Sequence, residues 1–475
     1  MKVQLLKETF LKSIFFLFAF FFFIQVKAEI RLPAILSNNM VLQQQSSVKL
    51  WGWGDPTEKV FITNSWNNQT DSTMVDQNAK WILHIQTPAA GGPFTITIKG
   101  NNTIVLKNIL IGEVWVCSGQ SNMEMSYNWG IPQMKDELAV AHNASIRFFT
   151  IPKSTSKYPQ ENGMGTWLQS DSNSAKSFSA VAYYFGKKLN ADLNVPIGLI
   201  NASWGGTPAE AWTPAEIVNN DPVLNAAVQK LQPTKGWPVI PGYAFNSMIA
   251  PLTNFHIAGT IWYQGESNTG TAASYQKLFT SMINAWRKNW QNDFPFYFVQ
   301  LAPFNYGNNQ AGALLREAQT KTLALHKTAM AVITDLADDT TDIHPKNKRD
   351  VGYRLASLAL KEHYDKPIHA YKSPAFKSME KDKSKIHLYF DDEVKGFKIN
   401  GKVAIGFLIA GADKIFYPAQ VKFNDNNMVV WHKKIKDPVA VRYAFSNTAQ
   451  GNIFNEAGLP LAPFRTDDWD EVITR

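Results

Sequence analysis

Between residues 110 and 369 the chain alternates two incompatible rhythms, and that alternation restricts its fold more than any other feature. Short apolar runs of strand type occur at 114–117, 197–201, 260–263, 296–300 and 329–334. Between them lie segments whose apolar residues recur every three or four positions: Phe178, Val181, Ala182, Phe185 and Leu189; Tyr275, Leu278, Phe279, Met282, Ile283 and Trp286; Val351, Leu355, Leu358 and Ala359. A repeat of that spacing places its members on one face of a helix, whereas a continuous apolar run of four to eight residues suits a strand buried on both faces. Strands alternating with helices predict an α/β fold, a parallel sheet with helices on both faces. Such sheets bind ligands beyond the carboxyl ends of their strands.

On either side the rhythm is purely β. Residues 29–109 carry short alternating runs at 48–53, 59–63, 81–86, 94–99 and 103–107, punctuated by Asp55-Pro56, Gly91-Gly92-Pro93 and Gly100-Asn101-Asn102. This is the outline of a small β-sandwich. Residues 370–475 return to it with runs at 385–390, 396–399, 414–423, 428–431 and 439–445, while 377–385 and 424–427 read as exposed turns. The expected division is 1–28, 29–109, 110–369 and 370–475, with the two β regions placed to pair in space as one accessory domain. No internal repeat is visible.

Residues 1–28 read as an export signal. Lys2, Lys7 and Lys12 precede an apolar run over 14–24 that is mostly Phe, and Val26-Lys27-Ala28 offers the small residues a signal peptidase reads. An uncleaved anchor is the competing reading, and against it the run is too short to span a bilayer comfortably and is closed by a small residue. The mature protein is expected to start near Glu29, in the periplasm or outside the cell, without membrane attachment. Cleavage lowers the formal charge from +8 to +5. That mild, unclustered excess is not the basic stripe of a nucleic-acid binder. The basic group around Lys346, Lys348 and Arg349 reads as a solvated helix start that would also suit an acidic substrate. A single cysteine, Cys117, excludes an intramolecular disulfide, so stability rests on the core, which the many aromatic residues supply.

Four segments carry chemistry, and each follows a run of strand type. In 112–123 a buried strand enters Ser118-Gly119-Gln120-Ser121-Asn122, a tight turn that would present the Ser121 hydroxyl with its own N–H free for an oxyanion. An isolated serine in such a place is more often a helix cap. In 200–208 Gly205 and Gly206 let backbone approach a ligand closely, and either is placed to donate an N–H; alone, the pair signals only a loop. In 261–268 Gln264 offers a side-chain amide to the same oxyanion, while Glu266 is either a rival catalytic carboxylate or, with Asn268, a supporting residue that holds the loops. In 338–345 Asp342 lies two positions before His344. A serine nucleophile needs a near-neutral imidazole steadied by a carboxylate. Of nine histidines, His344 alone combines acidic neighbours with a strand before it and a helix after it. One nucleophile, one base, one orienting carboxylate and several oxyanion donors on four loops form a far more specific signal than any member.

The motifs Gly119-Gln120-Ser121-Asn122-Met123, Ser203-Trp204-Gly205-Gly206-Thr207, Trp262-Tyr263-Gln264-Gly265-Glu266-Ser267-Asn268 and Asp342-Ile343-His344-Pro345 resemble the sialate O-acetylesterase branch of the SGNH hydrolases. The resemblance extends over nearly the whole chain beyond residue 28. It implies an SGNH-type α/β domain and a carbohydrate O-acetylesterase without cofactor, acting on O-acetylated sialic acid or on acetylated xylan or another polysaccharide. It also implies Ser121 as nucleophile, His344 as base, and an oxyanion hole of the Ser121 N–H, a Gly205 or Gly206 N–H and a side-chain amide. Two positions depart from the superfamily pattern: Thr341 stands three before the histidine, where Asp is usual, and Gln264 stands nearest the place of an Asn.

Two other classes compete. A divalent-metal hydrolase would use Asp335, Asp338, Asp339, Asp342 and His344, but would leave the serine segments unexplained, and no metal is expected. A non-catalytic carbohydrate-binding protein would need the aromatic residues, but not the Ser121 and His344 pair.

Overall fold

The computed structural model describes residues 29–307, 310–391, 396–424, 427–448, 451–469 and the backbone of 473–474. The export-signal segment lies outside the described residues. The N-terminal strands are β1 (Val41–Gln43), β2 (Ser47–Trp53), β3 (Lys59–Asn64), β4 (Thr70–Met74), β5 (Lys80–Gln86), β6 (Gly91–Lys99) and β7 (Thr103–Gly119). The α/β region adds β8 (Asn143–Thr150), β9 (Trp167–Ser170), β10 (Ile197–Ser203), β11 (Gly259–Tyr263), β12 (Phe296–Val299) and β13 (Thr328–Ala331).

β7 organises the molecule. Its first half pairs antiparallel with β6, and its second half stands between β10 and β11. The main sheet runs β13-β12-β11-β7-β10-β8-β9, parallel from β13 to β8 with an antiparallel edge at β9. The burial of β7 explains why the sequence reads as two strands. From Thr103 to Asn108 exposed and covered residues alternate, whereas everything from Ile109 to Gly119 is buried. A strand with one solvated face alternates, and one covered on both faces does not. The step at residue 109 is thus a change of surroundings along one continuous strand.

Helices cover both faces. α2 (Ala180–Leu193) and α5 (Lys348–Glu362) bury Val181, Phe185, Leu189, Val351, Leu355 and Leu358 on one side. α3 (Ala272–Trp290) and α4 (Ala311–Thr322) bury Leu278, Phe279, Met282, Trp286 and Leu315 on the other. The second core continues without a break into the N-terminal sandwich through Val48, Leu50, Trp81, Val60 and Ile98. The C-terminal strands form sheets of four and five strands around a separate core that includes Ile386, Leu388, Phe407, Ile409 and Val441. Among the described residues the two β regions share no sheet. The C-terminal region is tied to α4 instead: Arg465 grips Glu317 bidentately at 2.8 and 3.0 Å, and the Gly312 N–H donates to Asn447 at 2.8 Å.

Three elements of the α/β region carried no apolar signature. β8 buries Arg147, and α4 buries Arg316, Gln319 and Thr322, so polar residues stand where the pattern demands apolar ones. β9 has four residues, two of them buried. In the last parallel strand, pairing stops at Ala331 although Val332, Ile333 and Thr334 stay buried.

From β7 the chain goes first to β8 and β10 on one side, then to β11, β12 and β13 on the other. This reversal at the central strand is a topological switch, where open α/β sheets leave a crevice. The register makes the crevice level, because Gly119 pairs with Ser203 of β10 and with Tyr263 of β11. Gly119 also has φ +137°, and a Cβ there would lie 2.1 Å from the Tyr263 carbonyl oxygen. Gly119→Ala is therefore expected to cost about 2 kcal/mol or more of folding stability, read as a lowered thermal midpoint.

Candidate active site

The turn after β7 is pinned from both neighbouring strands. The Gln120 N–H donates to the Tyr263 carbonyl at 3.0 Å, and the Trp204 N–H donates to the Gly119 carbonyl at 3.0 Å. The chain then enters the one-turn helix α1 (Ser121–Glu124). Ser121 is its first residue, where an N–H has no acceptor within the helix. The hydroxyl and a free backbone donor thus reach the same crevice.

His344 arrives from the loop between β13 and α5. Its Nε2 lies 2.9 Å from Ser121 Oγ across 223 positions of sequence. Asp342 Oδ1 accepts the His344 backbone N–H at 2.9 Å and stands 3.6 Å from Nδ1, while its Oδ2 is 3.0 Å from the Lys346 ammonium. Asp342 therefore fixes the loop through the backbone and faces the ring at longer range. Burial, then the Lys348 charge, hold the His344 imidazole below its usual titration range, which keeps it neutral and basic near pH 7. Burial pushes the Asp342 carboxyl up, but the His344 N–H and Lys346 outweigh it and hold the group net below the ordinary range.

Beneath the pair lies a buried polar network centred on Asn122. Its amide donates to Glu266 and, at 3.0 Å, to the Ile343 carbonyl, and its oxygen accepts from the Lys348 ammonium. Burial raises the Glu266 pKa, with Asn122 and Lys348 opposing the shift. Burial drives Lys348 down to about 7, with Glu266 opposing. Lys348 is thus no solvated helix residue: it is fully covered, with its ammonium 5.3 Å from the Tyr263 ring centre. Arg349 pairs with Asp350 at 3.1 Å, and Lys346 serves Asp342, so the basic cluster is largely spent within the protein.

The oxyanion candidates separate. The Gly205 N–H is taken by Glu124 Oε2 at 2.7 Å. Gly206 has φ +82°, and its N–H has no acceptor among the described residues. Gln264 is placed differently from the sequence expectation. It is fully buried, its amide donates to Asn268 at 2.8 Å and to the Thr207 carbonyl at 3.3 Å, and its oxygen accepts from Tyr275 at 2.8 Å. With both ends bonded inside the protein, it has no donor to turn toward an oxyanion. Asn268 belongs to the same internal framework, donating to Glu210 and accepting from Ala209, and Glu266 supports the network already described. The sequence reading missed Glu124, one turn of helix beyond Ser121, and the central role of Asn122; their only signal was proximity to Ser121. Of the acidic cluster in the histidine loop, Asp335 is held by Arg354 at 2.6 and 2.7 Å. Among the described residues, no three His, Cys, Asp or Glu side chains converge as metal ligands.

After burial, the Lys348 charge lowers the His344 pKa, the other charged groups acting on the ring being Asp342, which raises it, and Lys346, which lowers it. Below pH 7 Lys348 is charged and opposes a second positive charge on the ring. Lys348→Met removes that opposition, so the His344 pKa rises and the acidic limb of kcat/KM moves to higher pH. The same change strands Glu266 and should cost about 3 kcal/mol of stability. A pH–rate profile and a thermal melt read the two effects.

The family model described as carbohydrate esterase, sialic acid-specific acetylesterase, matches residues 111–361. The sialate O-acetylesterase of Homo sapiens is 30% identical over 363 residues, covering 68% of this chain and 69% of the relative. That of Mus musculus is 28% identical over 430 residues, covering 77% and 80%. The crystal structure of a carbohydrate acetylesterase from Xanthomonas citri superposes with a TM-score of 0.84 at 37% identity, covering 93% of this chain and all of the other. The chain belongs to the sialic acid-specific acetylesterase family of carbohydrate esterases.

Proposed function

We propose that this carbohydrate O-acetylesterase works through Ser121 as nucleophile and His344 as general base. The observation that carries the reading is the 2.9 Å approach of His344 Nε2 to Ser121 Oγ at the level ends of the three central strands. In the first half-reaction Ser121 Oγ bonds to the acetyl carbonyl carbon as its proton passes to His344 Nε2. The tetrahedral intermediate then collapses, the bond from acyl carbon to sugar oxygen breaks, and that oxygen takes the proton from His344. Water repeats the sequence on the acetyl-enzyme, releasing acetate and restoring both groups. Asp342 steadies the histidine loop and favours the imidazolium that forms transiently. The Ser121 and Gly206 N–H groups serve the oxyanion, joined by Gly205 when Glu124 releases it. No metal or cofactor takes part.

The substrate is an O-acetylated sugar. Relatives named for sialate make O-acetylated sialic acid the first compound to test; acetylated xylan or another polysaccharide is the alternative, and the Xanthomonas citri relative is named simply as a carbohydrate acetylesterase. The reading of residues 1–28 places the reaction in the periplasm or outside the cell; among the described residues no helix is long and apolar enough to cross a membrane. A purely sugar-binding role would not require a hydroxyl and an imidazole in hydrogen-bond contact.

Ser121→Ala is expected to reduce acetate release from a sugar acetate by about 10⁴-fold or more, and His344→Ala by a similar factor. Asp342→Asn should lose less, because its closest bond is to the backbone. Activity should survive a chelator. Retention of most turnover by a folded Ser121→Ala protein would overturn the assignment.

A further inference from the structure

All fifteen tryptophans lie within the described residues, and only Trp129 and Trp237 are exposed, at 45% and 39%. Each is connected to the Ser121 turn by its own series of contacts. Trp129 ends the short turn Tyr127–Trp129, and the Lys153 ammonium lies 5.8 Å from its ring centre. That ammonium pairs with Glu124 Oε1 at 2.5 Å, and Glu124 Oε2 holds the Gly205 N–H, on the same helical turn as Ser121. Trp237 lies against Gly206, where a Cβ would fall 2.3 Å from its ring. A Cβ at the neighbouring Gly205 would fall 3.3 Å from Ser121 Cβ. Gly206 therefore needs to be glycine twice over, for its positive φ and for the indole covering it.

Leaving an indole in water forgoes the gain of burying one of the largest apolar side chains. Here the other thirteen avoid that loss in whole or in part, and the two that accept it are both linked to the Ser121 turn through a short series of contacts. A pyranose ring is a fitting cover, because its C–H faces are apolar and slightly positive while the indole face carries the negative part of its quadrupole. The Glu124–Lys153 pair between Trp129 and the nucleophile offers an acceptor and a donor to ring hydroxyls.

Resting on the esterase reading above, we propose that Trp129 and Trp237 form the sugar-binding platform, stacking on the pyranose ring so that its O-acetyl group reaches Ser121. What the platform reads is a C–H face, which neutral and acidic pyranoses share. A ring carboxylate is then not required, and acetylated neutral pyranosides are substrates alongside O-acetylated sialic acid.

The test compares kcat/KM for a monoacetylated methyl xyloside, an O-acetylated sialic acid and ethyl acetate, which has no ring. Trp129→Ala and Trp237→Ala are each expected to raise KM for both sugar acetates about tenfold, lowering the ratio of sugar-acetate to ethyl-acetate kcat/KM by a similar factor. The Phe variants should keep most of that ratio, and Trp431→Ala, in the C-terminal sheet, should leave it unchanged. An unchanged ratio in folded Ala variants would overturn the platform, and so would a loss confined to the sialic acid. Should an Ala variant fail to fold, the decision falls to Ser121→Ala protein titrated with the acetylated xyloside. Its tryptophan fluorescence should respond, and the response should shrink when Trp129 or Trp237 is also changed to Phe; no response, or one that both Phe changes leave intact, overturns the proposal. The two readings fail separately: an active Ser121→Ala protein sinks the nucleophile assignment, whereas an inactive one with unaltered selectivity in the tryptophan variants sinks only the platform.

Discussion

A 2.9 Å contact between two loops more than two hundred residues apart survives only if something rigid ties those loops together, and Asn122 supplies that tie. Its neighbour in sequence is Ser121. Its amide holds the carbonyl of Ile343, the residue before His344, and its remaining contacts are the two buried charges Glu266 and Lys348. An amide placed between a carboxylate and an ammonium bonds to one oxygen of the first and to the second, and removing either charge leaves the other without its counter-charge in a low-dielectric interior. Such an arrangement adds little net stability. What it secures is position, and its Lys348 charge adds to burial in holding the His344 imidazole below its usual titration range.

The network can exist because the sheet brings its members to one place. Asn122 follows the central strand, Glu266 follows β11, and Lys348 opens the helix after the histidine loop. The chain reverses direction across the sheet at β7, and the pairing of Gly119 with both Ser203 and Tyr263 leaves three loops opening at one height. The N-terminal sandwich contributes by holding the other half of β7 and by sharing a core with α3 and α4. The strand that leads into Ser121 is therefore clamped at both ends.

Much of this was legible before the fold was known, for reasons that differ from element to element. Helices α2, α3 and α5 announce themselves because each buries an apolar stripe, and β7, β10, β11 and β12 because strands covered on both faces are continuously apolar. Helix α4 stays silent because Arg316 and Gln319 face inward, paired with backbone groups of other segments. Ser121 and His344 stand out because a hydroxyl and an imidazole with suitable neighbours are scarce at strand ends. Gln264 misleads for the opposite reason. An amide after a strand looks the same whether it faces the crevice or turns inward to Asn268 and Tyr275, and Lys348 looks like any basic residue at a helix start.

The sequence by itself determined the alternation of strands and helices, the β character of both flanks, and the Ser121 and His344 candidates, since periodicity and residue type are local properties. Only the tertiary structure decided that the step at residue 109 lies within one strand, that Glu124 rather than solvent meets Gly205, and that Lys348 is buried and two tryptophans are not. Those outcomes depend on which surfaces meet across large separations in sequence, and burial is a property of the meeting, not of the residue.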